Sequence, residues 1–294
     1  MGEQTWLAER FEADRAHLRA VAYRMLGSLS EAEDAVQEAW LRLSRSDTSG
    51  VQNLSGWLTT VVARVCLDML RSRTSRREEP LDAHLSALLA AREPGSEADR
   101  ELQLADSVGL ALLVVLETLT PAERVAFVLH DVFDLSFDEI APIVGRTPVA
   151  ARQLASRARR RVKGTAALPK ADLAEKRRVV DAYLAAVRGG DFEALLTVLD
   201  PDIVLRTDRM VAPAGAPAVL RGAAAVAQRV LAAPHRGRFA RVALVNGVPA
   251  IIIAPRGRLA LAIIPTIADG KIVALDAIAE PARLRELEVG LLED

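Results

Sequence analysis

The stretch LSFDEIAPIVGRTPVAARQLASRARRRVK, Leu135 to Lys163, decides how the rest of the chain is read. It predicts two helices joined by a tight turn. Ser136 is placed to cap the first helix, and Glu139, three residues on, completes a capping box. Gly145 marks the break. Thr147 is placed to cap the second helix, and Pro148 sits at its first position, where a missing N–H is harmless. At about 100° per residue, Ala151, Leu154, Ala155, Ala158 and Val162 form one apolar stripe. Val149, Arg152, Gln153, Ser156, Arg160 and Lys163 project from the other side. Pro142 removes one backbone hydrogen bond from the first helix, which is therefore expected to be short or kinked. A short helix, a glycine turn and a second helix with a cationic outer face describe a helix-turn-helix that enters a major groove. The same pattern also fits a surface hairpin with a solvated basic face.

The chain has 294 residues and a formal net charge of −1. That length suits two or more domains. Hydrophobic residues make up 51% and aromatics only 4%, with Trp6, Trp40 and Trp57 all in the first fifth. The one cysteine, Cys66, excludes an internal disulfide and a cysteine-only metal site, and it falls in an apolar helical pattern that marks a core position. The N-terminal stretch MGEQTWLAERFEADR lacks an apolar leader core, and the run Ala250 to Ala254 is too short to cross a bilayer. These features predict a cytoplasmic protein with no membrane partner, and the sequence calls for no cofactor or metal. Acidic residues outnumber basic ones over residues 1–163. The positive charge is local: Arg64, Arg71, Arg73, Arg76 and Arg77 in one cluster, Arg152 to Lys163 in another. Two small basic patches on an acidic body predict a protein that reaches DNA as part of a larger machine, because an unaided binder carries a basic excess.

Helices are expected over 5–26, 31–43 (opened by a Ser30/Glu33 capping box), 54–73, 98–118 and from Thr120-Pro121-Ala122-Glu123 to Val132. Residues 74–97 read as a linker. After Gly164 the style changes. Helices are expected over 172–188, 191–199 and 221–232. Strands are expected over 202–207, 239–245, 248–254, 258–265 and 271–279, the last four as an antiparallel meander. This is an α+β domain following helical ones.

Two helical faces invite a function. In 31–43, Asp34, Gln37, Glu38 and Leu41 point away from the apolar stripe, and a leucine ringed by acids suits a partner surface. In 54–73, Trp57 with Arg64 and Arg71, beside a polar loop, suits stacking and phosphate contact with single-stranded DNA. An ordinary solvated face and a core tryptophan fit the same residues.

Taken together, residues 11–163 resemble a bacterial extracytoplasmic-function sigma factor. FEADRAHLRAVAYRMLGSLSEAEDAVQEAWLRL is similar to the first part of sigma domain two, NLSGWLTTVVARVCLDMLRSR to the part that opens the −10 element, and LTPAERVAFVLHDVFDLSFDEIAPIVGRTPVAARQLASRAR to domain four. The resemblance implies two all-α sigma domains, 1–73 and 98–166, around the linker 74–97. It implies that Asp34, Gln37, Glu38 and Leu41 dock on the β′ clamp helices of core RNA polymerase. It implies that Asn53, Trp57, Arg64, Arg71 and Arg73 meet the −10 element of promoter DNA. It implies that Arg146, Thr147, Val149, Arg152, Gln153, Ser156, Arg157, Arg160 and Lys163 meet the −35 element, with domain four also on the β flap. Residues 170–288 resemble the SnoaL-like domain, of the nuclear-transport-factor-two-like fold, fused to the sigma-J sub-group. The resemblance implies a cone-shaped α+β domain that contacts the sigma domains or linker in cis and regulates them. Three sub-group motifs are shortened or replaced here: Glu79-Pro80-Leu81, the stretch 208–218, and Glu280-Pro281-Ala282-Arg283-Leu284.

Two further readings stand beside it. One is a helix-turn-helix regulator with a small-ligand-sensing SnoaL-like domain. The other is an isomerase or hydrolase working from the cone, with Tyr183, Asp208 and Asp276 as pocket residues; His235 sits in a loop-like segment.

Overall fold

The computed structural model describes residues 2–46, 50, 51, 53–75, 109–164, 167–211, 217–232, 237 and 239–292. The expected linker beyond Ser75, the start of the helix at 98, Arg76, Arg77, Glu79-Pro80-Leu81, residues 212–216 and His235 lie outside these; residues 74 and 75, expected in the linker, are helical. The chain divides into two compact units, Met1–Pro80 with Leu116–Arg160, and Leu81–Val115 with Arg161–Asp294.

The first unit is helical. α1 spans Gly2–Leu26 and ends where Gly27 turns to φ 74°. α2 spans Leu29–Leu43 and α3 Leu54–Ser75. Ser28, not the expected Ser30, caps α2: it is extended and its hydroxyl accepts from the Glu31 N–H at 3.4 Å. Gly27 ends one helix and leaves a single extended residue before the next, so Ser30 is already inside the first turn. Leu18, Val21 and Leu26 of α1, Ala35, Val36 and Leu43 of α2, and Leu58, Val62 and Cys66 of α3 are buried together. Burial pushes the Cys66 thiol far above its usual range, so it stays a neutral core group.

α4 (Leu110–Glu117) leads to α5 (Pro121–Phe127), whose start is the expected capping box of Thr120 and Glu123. α5 runs into a π-helical turn, Val128–Val132, where regular helix was expected. α6 (Phe137–Val144) and α7 (Pro148–Lys163) follow. α3 packs against α5 and α6, so the two helical regions share one body. A buried polar junction joins them. Arg124, 4% exposed, donates to the Met25 carbonyl at 3.0 Å and to Glu117 Oε1 at 2.9 Å. Arg73 pairs with Glu31 and donates to the Leu26 carbonyl at 3.1 Å. The guanidinium fork thus satisfies the helix-end carbonyls left open where α1 stops.

The second unit is α+β. α8 (Lys170–Gly189) and α9 (Phe192–Val198) precede β1 (Leu199–Thr207). Then come β2 (Val219–Arg221), α10 (Ala223–Leu231), β3 (Ala240–Val245), β4 (Val248–Ile253), β5 (Leu261–Ala268), β6 (Lys271–Ile278), a short α11 (Pro281–Leu284) and β7 (Val289–Gly290). The sheet order is β2-β1-β6-β5-β4-β3-β7. β3 to β6 form the expected antiparallel meander, but β1 lies parallel to β6, which makes the sheet mixed. The edge strands β2 and β7 were not anticipated; they are too short to carry a period. One face of the sheet and the inner sides of α8, α9 and α10 bury Val180, Tyr183, Leu195, Leu205, Val226, Ile251 and Leu275 in a common core.

Arg124→Ala removes the buried partner of an ion pair, leaving the Met25 carbonyl unanswered and Glu117 with only Arg73, 4.0 Å away. We expect a loss of about 3 kcal/mol, read as a lowered denaturation midpoint of the full chain. An unchanged midpoint would show that water replaces the guanidinium without penalty.

Candidate nucleic-acid interface

The helix-turn-helix is built as its residues demand. The Ser136 hydroxyl accepts from the Glu139 N–H at 3.4 Å, and Glu139 Oε2 accepts from the Ser136 N–H at 2.9 Å and from its hydroxyl at 2.6 Å. These bonds hold the Glu139 carboxyl below its usual range. Gly145 takes φ 68°, ending an eight-residue α6 that contains Pro142. The Thr147 hydroxyl accepts from the Ala150 N–H at 3.3 Å and starts α7.

Along α7 the inner stripe Ala151, Leu154, Ala155, Ala158 and Val162 is buried. Arg146, Thr147, Val149, Arg152, Gln153, Ser156, Arg157, Arg160 and Lys163 are exposed, Val149 at 67%. Not all of this face is available. Glu123 places Oε2 on the Thr120 N–H (3.2 Å) and hydroxyl (2.9 Å) while Oε1 accepts from Arg157 Nε at 3.1 Å. Arg157, expected on DNA, is therefore held against α5. Arg159 pairs with Asp131 in the same way. Arg152 lies 5.3 Å from the Phe137 ring centroid, a cation–π contact, and remains exposed. Neither Glu123 nor Asp131 was singled out as a holder of α7; the capping box named the first without revealing its second oxygen's partner.

On α2, Asp34 and Gln37 are exposed, Glu38 pairs with Arg42 at 2.9 Å, and Leu41 is 40% exposed. Asp34, Glu38 and Arg42 form one wall of a groove whose other wall is Val65, Asp68, Met69 and Ser72 of α3. Asn53 accepts from the Gly56 N–H at 3.0 Å and so starts α3. Trp57 is half-buried beside it and Arg64 is exposed. Arg71 sits 3.9 Å from Asp68. Arg73 is the clear departure: expected on DNA, it faces inward on Glu31 and the Leu26 carbonyl.

The α+β unit contains a cavity of about 200 Å³. Tyr183 lines it, but Asp208 and Asp276 do not. The Asp208 carboxylate is occupied by four backbone N–H groups, of Ala279 (2.6 Å), Glu280 (2.7 Å), Met210 and Val211 (3.1 Å each). Asp276 pairs with Arg206 at 3.2 Å. The lining has no carboxylate or histidine among the described residues, and no group of acids, histidines or cysteines there is arranged to hold a metal. Among the described residues the lining therefore offers no base of the kind a cone-based isomerase uses. No described helix is long and apolar enough to cross a membrane.

Comparison with known proteins follows the same lines. Residues 10–76 match the family model for sigma-70 region 2, and residues 109–162 that for sigma-70, region 4. Over 99% of both chains the protein is 37% identical to SigI of Mycobacterium tuberculosis, described as a probable ECF RNA polymerase sigma factor. It is 39% identical to the ECF RNA polymerase sigma factor SigJ of the same species, over 92% of this chain and 91% of the relative. The crystal structure of SigJ covers 94% of this chain and 98% of its own, at 35% identity and a TM-score of 0.45.

Ser136→Ala deletes the capping hydroxyl, the first of the two donors to Glu139, and keeps the backbone N–H of residue 136. Because the Glu139 carboxyl is held down in the folded chain, its contribution is present above its unfolded pKa and is lost as pH falls through the folded value. The variant should lose about 1 kcal/mol at neutral pH, and Glu139 should titrate nearer its usual value by NMR. An unmoved Glu139 titration would show that the bond from the Ser136 hydroxyl is not what lowers it.

Proposed function

The chain belongs to the ECF RNA polymerase sigma factors, and from that premise we propose how its surfaces divide the work. It is an alternative sigma factor: it binds core RNA polymerase and directs transcription initiation from promoter DNA, and it is not an enzyme. In our reading α2 presents Asp34, Gln37, Glu38 and Leu41 to the β′ clamp helices, an apolar centre with an acidic rim. Asn53, Trp57, Arg64 and Arg71 border the −10 element. The first turns of α7, with Arg146, Thr147, Val149, Arg152, Gln153 and Ser156, enter the major groove of the −35 element, and Arg160 and Lys163 meet phosphates further along. The domain carrying α7 also contacts the β flap. The cell compartment is that of the polymerase, the cytoplasm. The observation that carries this reading is the sorting of cations on α7. Arg157 and Arg159 are turned back onto carboxylates, while Arg152, Gln153 and Ser156 stay exposed near the N-terminal end, where helix-turn-helix proteins touch base edges.

We assign regulation in cis to the α+β domain of residues 170–288, supported by the high effective concentration of a tethered domain. The shared body formed by α3, α5 and α6 supports a compact free state, which binding to core would shift to an open one.

Asp34→Arg with Glu38→Arg should weaken binding to core polymerase while leaving the melting temperature within about 0.5 kcal/mol equivalent, since both are exposed or half-exposed. Unchanged affinity for core removes the docking assignment. Arg152→Ala should alter base preference within the −35 element by about 1–3 kcal/mol. Arg160→Ala should instead weaken binding evenly across sequences and lower the salt slope by about one. If both only weaken binding, base reading belongs to other residues.

A further inference from the structure

The cavity of the α+β domain is used by neither promoter reading nor core docking. Its wall is almost wholly aliphatic, with Leu205, Ile251, Ile253, Leu261 and Leu275 among its residues. Tyr183, on the inner face of α8, is 2% exposed, and its hydroxyl has no hydrogen-bond partner among the described residues. Burial pushes that hydroxyl far above its usual pKa, so it is a permanent donor. Buried tyrosine hydroxyls are ordinarily satisfied, and an orphan calls for an explanation. The other polar side chains in the wall are Thr207 and Arg229. Thr207 already donates to the Ala218 carbonyl. Arg229, on α10, is partly exposed and has no carboxylate partner among the described residues. The wall therefore offers one buried donor and one cation, with no acid to balance either.

An apolar bowl with a donor and a positive charge complements a small hydrophobic anion. Size narrows the class. A cavity of about 150 Å³ lined by aliphatic groups takes benzene, and drug-sized ligands need about 300 Å³ or more. At about 200 Å³ there is space for one ring and one substituent. We propose that this cavity is a binding site for a single-ring hydrophobic carboxylate, whose ring fills the aliphatic bowl, whose oxygen accepts the hydrogen bond from Tyr183 and whose charge is held by Arg229. The site stands independently of how the helical unit reads a promoter.

The test is calorimetric titration of the full chain with benzoate. Benzamide serves as the neutral match of shape, and acetate as the charge without the ring. Benzoate should bind one to one and more tightly than either. Tyr183→Phe should weaken benzoate by about tenfold, the loss of one hydrogen bond to a charged acceptor. The same variant should melt no lower than the parent without ligand, because the hydroxyl it deletes has no internal partner. Arg229→Gln should erase the preference for benzoate over benzamide. Ala277→Leu, which fills the bowl, should abolish binding; if that variant does not fold, the two polar variants decide alone. The proposal is overturned if benzoate fails to bind at millimolar concentration, if acetate binds equally well, or if Tyr183→Phe binds benzoate unchanged.

Discussion

The orientation of the recognition helix rests on one carboxylate with two jobs. Glu123 closes the first turn of α5 through Oε2 and holds Arg157 of α7 through Oε1. The carboxylate is almost completely enclosed, so both its oxygens must be answered inside the protein. The N-terminal dipole of α5 and the Thr120 hydroxyl answer one, and the Arg157 guanidinium answers the other. Rotating α7 about its axis would strand a buried charge. The apolar stripe of α7 fixes the same rotation from the other side, and the outward row from Arg146 to Ser156 is what both constraints leave facing solvent.

This arrangement bears on how strongly the protein grips DNA by itself. A chain with a net charge of −1 has little long-range pull on a polyanion. Its local basic patches are also smaller than their arginine count indicates. Arg73, Arg157 and Arg159 are committed to internal carboxylates, and Arg73 also to a helix-end carbonyl. In the reading proposed above, affinity then comes from the assembly with polymerase, and the side chains left outward on α7 contribute selectivity more than attraction.

Much of this was legible beforehand where chemistry is local. The Thr120/Glu123 and Ser136/Glu139 boxes, the Gly145 turn and the inner stripe of α7 each depend on residues within a few positions of one another, and each is where the sequence placed it. Most of what was missed is non-local, the cap of α2 being the exception. Ser30 and Ser28 compete for one cap, and the neighbour that decides, Gly27, acts through its backbone angle. Asp208 looks like a pocket acid until the N–H groups of Ala279 and Glu280, from a distant segment, close on it beside those of its neighbours Met210 and Val211. The parallel pairing of β1 with β6 joins residues some seventy positions apart, a partnership that hydropathy alternation within a strand does not encode. Arg73 reads as one of a basic run, and only the approach of Glu31 and the end of α1 turns it inward. Tyr183 could be picked out as the only tyrosine after residue 23, but that its hydroxyl would go unanswered could not.

That parallel pairing also sets a timetable on the ribosome. β6 lies inside the sheet between β1 and β5, so the α+β fold lacks the strand that joins β1 and β2 to the rest until residue 278 has emerged. Every helix of the first unit has been made by about residue 160. At bacterial synthesis speeds the interval is on the order of ten seconds. Through that window a nascent chain carries a finished promoter-reading body beside an unfinished domain, so any restraint exerted by the later domain begins only after the earlier one exists.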